Sequence, residues 1–303
     1  MPVDADVIAD RRRLKRRLSL WRVAAIVAGV ALAVVLVQPF EDILKKDHVA
    51  RLRVEGLIVS DPQREAALAA VADEARAKAL IVRIDSPGGT FVGGEALHRA
   101  LRDVAREKPV VAVLDTVATS AAYMAALAAD HIVTRQGTVT GSVGVMLQTT
   151  EITGLLEKLG VSAEAIKSTA LKATPSPLEP LTDEGRAAAR AVVDDMHGLF
   201  VTMVADRRAL APAEAEAVAD GRVYTGRQAL ERKLVDALGG EAEARDWLDE
   251  AKGVPTSLPV REVTIERPGE FWRQFVTGLV GKTLLPERLT LDGLVSFWHP
   301  DRR

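Results

Sequence analysis

The chain has 303 residues and is 48% hydrophobic, enough to bury the core of one large domain or two small ones. Its formal charge of -2 offers nucleic acid no electrostatic footing. It has no cysteine, which excludes thiol catalysis, disulfides and cysteine-ligated metals; its five histidines show no metal-ligand spacing, so neither a metal nor another cofactor is expected.

Residues 1–17 are basic, with Arg11, Arg12, Arg13, Lys15, Arg16 and Arg17 preceding an apolar run from Leu18 to Phe40. As a helix that run is about 34 Å long, more than the roughly 30 Å hydrocarbon core of a bilayer. The basic end is expected to stay in the cytoplasm while 18–40 cross the membrane, with Arg22 snorkelling and Trp21 at the interface. Ala31-Leu32-Ala33 has the small-x-small form of a signal-peptide cut. Val34 to Val37 carry the apolar run past it, which favours an uncleaved anchor and a bacterial periplasm or outer surface beyond.

After a charged linker, 41–48, strand and helix patterns alternate over 49–264 as in an α/β domain. The pattern predicts a strand over Val49–Val59, an alanine-rich helix over Arg64–Lys78, and a strand over Ala79–Ile84 ending in Asp85-Ser86-Pro87-Gly88-Gly89. A helix over Gly94–Arg106 leads into a strand from Val110 to Thr119, then Ser120 and another helix at once. His131–Thr134 reads as a further strand, opening a glycine- and threonine-rich stretch, Gly137 to Val145. Thr182 is placed to cap a long helix whose Val192, Met196, Leu199 and Met203 share one face, read as core packing. In 265–303, Phe271, Phe275 and Leu279 share a helical face with Trp272 and Val276 beside them, and Phe297-Trp298 follow. Two readings stand for this extension: packing onto the body or a neighbouring subunit, or contact with a membrane surface.

Three features carry candidate chemistry. A serine between a buried strand and a helix can be an N-cap, or a nucleophile with helix amides beside it. Gly88-Gly89 can be a tight turn, or can supply a backbone N–H to an oxyanion hole together with the N–H after Ser120. No histidine is placed to serve as base, which leaves lysine. A free lysine is only about one part in 2,500 neutral at pH 7, so a catalytic one must lose solvent. Lys172, in the uncharged Thr169–Pro175 stretch, and Lys167 are the rivals.

Taken together these segments resemble the bacterial signal peptide peptidase A family, of the short single-domain type. The segments are Ile84-Asp85-Ser86-Pro87-Gly88-Gly89, Lys108–Ala112 leading to Thr119-Ser120-Ala121-Ala122-Tyr123, Gly137–Val145, Lys167-Ser168 to Lys172 with Pro175-Ser176-Pro177, and Asp220–Gly226. The resemblance implies a Clp/crotonase-like α/β fold of repeated β-β-α units behind one N-terminal transmembrane helix. It implies a serine endopeptidase with Ser120 as nucleophile, Lys172 as general base, Ser142 orienting the lysine, and Gly88 or Gly89 with Ala121 forming the oxyanion hole. Peptides such as cleaved signal peptides are the implied partners, with the lipid bilayer and further copies of the chain.

The chain departs from the family where Ser-Gly-Gly-Tyr becomes Ser120-Ala121-Ala122-Tyr123, which narrows any close approach by substrate. Gly-Leu-Val-Asp becomes Lys233-Leu234-Val235-Asp236, so Lys233 is strained if that position needs positive φ. An acyl-CoA enzyme of the crotonase fold and an inactive membrane scaffold are the alternative functions.

Overall fold

The computed structural model describes residues 18, 20–29, 46–265 and 294–297. The chain divides into two units, Met1–Asp47 and His48–Arg303. In the first, residues 20–29 are helical and exposed. The expected span 18–40 runs beyond the described residues, among which no helix is long and apolar enough to cross a membrane.

The second unit is a mixed ten-stranded sheet with helices on both faces. In order, its elements are β1 (His48–Ile58), α1 (Pro62–Asp73), β2 (Ala77–Thr90), α2 (Phe91–Glu107), β3 (Val110–Thr119), α3 (Ala121–Ala126), β4 (His131–Thr134), β5 (Val139–Gly141) and β6 (Met146–Leu147). There follow α4 (Thr153–Lys158), α5 (Asp183–Arg208), α6 (Pro212–Val218), β7 (Val223–Thr225), α7 (Gly226–Glu231), β8 (Ala237–Leu238), α8 (Glu241–Lys252), β9 (Val260–Glu262) and β10 (Leu294–Phe297).

The central strands are buried on both faces, the usual consequence of parallel pairing beneath helices. Leu80, Val82, Ile84, Ala112 and Leu114 pack with Leu97, Leu101 and Phe200 on one side. Ile81, Val111, Val113 and Val133 pack with Ala244 and Leu248 on the other.

β3 is one continuous strand whose two halves choose different partners. Val111–Leu114 pair with β4 and Val117–Thr119 pair with β5, both parallel. The Ser-Pro-Gly-Gly segment likewise continues β2 instead of forming a tight turn: Gly88 and Gly89 pair with Leu57 and Ile58 of β1 across a register shift. Gly88 supplies the positive φ, 107°, at this irregularity.

Two other expectations change. The first helix stops at Asp73, since Glu74 is extended and Ala77 already pairs with His48, so Lys78 belongs to β2. Thr182 does cap α5, accepting from the Gly185 N–H, but its apolar stripe is split. Met196 and Met203 lean on the core beside Phe200 and Val204, whereas Val192 and Leu199 are exposed. The helix has more apolar width than the described residues cover.

Lys233 has φ 59°, as its departure from glycine suggested. Its N–H and that of Leu234 donate back to Leu230 and Ala229, closing the end of α7. Lys233→Gly is expected to stabilise the fold by about 0.5–1 kcal/mol in thermal unfolding, because glycine adopts that conformation without a Cβ clash. A melting temperature at or below that of the parent would refute it.

Candidate active site

Ser120 stands between the buried end of β3 and α3, at φ 58° and ψ -121°. A side chain at that position is strained, and strained strand-to-helix turns are where nucleophiles are presented. The N-cap reading does not hold, since the Ser120 side chain makes no capping hydrogen bond.

The turn is fixed by backbone contacts on every side. The Ser120 N–H donates to the Gly141 carbonyl (2.8 Å), and the Met124 N–H donates to the Ser120 carbonyl (2.9 Å). Thr119 Oγ1 donates to the Pro87 carbonyl (3.0 Å), and Thr140 Oγ1 to the Ala118 carbonyl (2.7 Å). These bonds draw the Gly88-Gly89 segment and the β5 end against the serine. Ser142 comes directly after Gly141, itself has φ 52°, and donates its N–H to the Arg222 carbonyl (2.8 Å). Ser120 is thus tied by one backbone hydrogen bond to the residue before Ser142.

The two glycines have different tasks. A Cβ on Gly89 would lie 1.8 Å from the Ile58 carbonyl oxygen, so glycine is required for β1 to approach. The Gly88 N–H donates to Ser86 Oγ (3.1 Å), whose hydroxyl in turn donates to the Gly56 carbonyl (2.6 Å).

Ala121 and Ala122 are completely buried. A Cβ on Gly94 would fall 2.9 Å from that of Ala121, so the Ala121 methyl uses space that Gly94 leaves on α2. Tyr123 is buried too, donating to the Leu234 carbonyl (2.7 Å), and loss of solvent pushes its phenol pKa up.

The other end of α3 is held by side chains that sequence reasoning missed. His98 Nδ1 meets the Met124 carbonyl at 2.9 Å, Arg207 donates to those of Leu127 (2.7 Å) and Ala129 (2.9 Å), and Arg102 to that of Ala128 (3.0 Å). Burial lowers the His98 pKa, outweighing its bond to Met124. A neutral ring facing that carbonyl carries its hydrogen on Nδ1. The only sequence cue is the i, i+4 spacing of His98 and Arg102 on α2.

The lysines differ from expectation. Lys172 was expected to be desolvated, but in this chain it is exposed. Among the described residues its Nζ makes no hydrogen bond to Ser120 or Ser142. Its surroundings explain this: Leu155, Leu159, Val161 and Ile166 of the same segment are exposed as well, Ile166 fully. Among the described residues, the segment that carries Lys172 finds no apolar cover. Lys167 Nζ is engaged by the carboxylate of Glu179.

Strand, serine and braced short helix define an α/β protein with a strained strand-to-helix serine turn. Residues 102–255 match Peptidase family S49. A protease-family protein of Synechocystis sp., slr0021, is 38% identical over 245 residues, covering 80% of this chain and 87% of that protein. A protein of Enterococcus faecium named for signal peptide peptidase SppA is 31% identical over 183 residues, covering 60% of this chain and 53% of its own. Among solved structures, a ClpP1 mutant from Listeria monocytogenes is similar with a TM-score of 0.43 at 12% identity, covering 63% of this chain and 91% of that chain. The chain belongs to peptidase family S49.

Proposed function

We propose that the chain is a membrane-anchored serine endopeptidase with a Ser120/Lys172 dyad, acting on remnant signal peptides and other membrane-associated polypeptides. The observation that carries this reading is the strained Ser120 turn, tied by its backbone to the residue before Ser142. In the mechanism, neutral Lys172 Nζ takes the Ser120 proton as Oγ attacks a peptide carbonyl. The Ala121 amide and the Gly89 amide face the oxyanion, the Gly88 N–H being given to Ser86 Oγ, and Ser142 orients the lysine. Lys172 then protonates the departing amine, and water releases the acyl group.

A solvated lysine cannot do this at neutral pH. The reading therefore includes a homo-oligomer in which a neighbouring copy covers the apolar Leu155–Ile166 segment and dries the Lys172 arm. Such exposed apolar surface supports an interface. Residues 18–40 would anchor the protein in the bacterial inner membrane, with 1–17 cytoplasmic and the protease unit on the far side. An inactive scaffold is suggested by the two alanines; the buried Ala121 methyl, facing Gly94, favours the active reading.

A fluorophosphonate tests the reading. Wild type should be labelled on Ser120, Lys172→Met should lose labelling, and Lys167→Met should keep it. A wild-type protein that neither labels nor cleaves an unfolded apolar peptide overturns it.

A further inference from the structure

β2 slips against both of its neighbours where the Ser-Pro-Gly-Gly segment lies. On the β1 side Ser86 and Pro87 stand opposite Gly56 alone, between the pairs Glu55 with Asp85 and Leu57 with Gly88. On the β3 side Asp115, Thr116 and Val117 stand opposite Asp85 alone, between Ile84 with Leu114 and Ser86 with Ala118. Each bulge interrupts the ladder and takes backbone groups away from their usual strand partners.

Side chains supply bonds in their place. Asp85 Oδ1 accepts the Val117 N–H (3.1 Å), and Thr119 Oγ1 donates to the Pro87 carbonyl. Ser86 does most, from a fully buried position: its hydroxyl donates to the Gly56 carbonyl (2.6 Å) and accepts the Gly88 N–H (3.1 Å). The Gly88 carbonyl oxygen lies near the same Oγ, at 3.4 Å. That contact sets a direction. In a trans peptide the C=O and the following N–H point opposite ways, so a Gly88 carbonyl turned to Ser86 sends the Gly89 N–H away from it. Gly88, at φ 107°, can hold the backbone turn that this requires.

We propose that Ser86 is a positioning residue: it engages the Gly88 N–H and aims the Gly89 N–H at the oxygen of the carbonyl that Ser120 attacks. The inference rests on the reading of Ser120 as nucleophile. An amide stabilises a developing oxyanion only within hydrogen-bond distance of the place that oxygen takes up, so a peptide free to rotate loses the effect while substrate still binds. The loss falls on kcat and spares KM.

Ser86→Ala and Ser86→Cys in the full-length protein test this, with a peptide substrate and a peptide boronate whose tetrahedral adduct on Ser120 mimics the transition state. Ser86→Ala should lower kcat about a hundredfold, leave KM unchanged and weaken boronate inhibition by about the same factor. Ser86→Cys, close in size but a weak donor and acceptor, should fall between it and wild type, and decides by the same measurements if the alanine variant does not fold. A structural role alone would lower the melting temperature and move neither kcat nor boronate affinity at a temperature where every variant is folded. That result overturns the inference and leaves the Ser120 reading intact, as does a rise in KM at unchanged kcat. A wild-type protein that forms no boronate adduct and cleaves no peptide overturns the Ser120 reading, and the inference with it.

Discussion

Replacing Ser120 with glycine is expected to make the protein more stable and catalytically dead at once. At φ 58° and ψ -121° the serine holds a conformation natural to glycine alone, a strain of about 1–3 kcal/mol for other residues. No capping hydrogen bond is lost with the side chain. Glycine gives back part of the gain through a freer unfolded state, leaving about 1 kcal/mol, or roughly 2–4 °C in melting temperature for a domain of this size. Peptide hydrolysis should fall by about 10⁴-fold or more, because the attacking oxygen is gone. Calorimetry and an initial-rate assay on the same preparation check both halves. A less stable variant would mean that the turn is not strained, and undiminished hydrolysis would assign the nucleophile elsewhere.

Gly89→Ala should have the largest effect on the fold. The new methyl would lie 1.8 Å from the oxygen, 2.5 Å from the carbon and 2.6 Å from the nitrogen of Ile58. All three are backbone atoms of β1, so no side chain can swing aside. The end of β1 must separate from β2, giving up the pairing of Leu57 with Gly88 and of Ile58 with Gly89. A loss of about 3 kcal/mol or more is expected, at the high end for overpacking, together with loss of Ser120 labelling as the adjoining segment moves. Gly137→Ala, whose Cβ would meet nothing within 4 Å, is the control and should stay within about 0.5 kcal/mol. Chemical denaturation of the two variants side by side decides the matter; equal midpoints would contradict the close approach of β1.

What the sequence disclosed about the fold and site, and what it hid, follows from the range of the forces involved. Local patterns announced β1, the long β3 and the Thr182 cap. Each depends on residues a few positions apart or on motifs fixed in order. The Ser-Pro-Gly-Gly segment was misread as a turn because glycine after a strand signals both a turn and a close approach, and only the Ile58 backbone distinguishes them. The α5 stripe was misread because periodicity gives the width of an apolar face but not how much of it one subunit covers: Val192 and Leu199 lie beyond that cover. The exposure of Lys172 has the same origin, since an uncharged neighbourhood in sequence is not yet a dry one in one subunit. The brace on α3 was invisible because Arg207 reaches it across 80 positions of sequence.

That brace has a consequence for catalysis under the proposed mechanism. His98 and Arg102 come from α2 and Arg207 from α5, and together they hold the carbonyl end of α3 from behind. A short helix fixed at its tail cannot slide along its axis, so the amide at its head keeps its aim. The work of orienting that dipole is done when the chain folds, and none remains to be done as negative charge builds on the substrate oxygen.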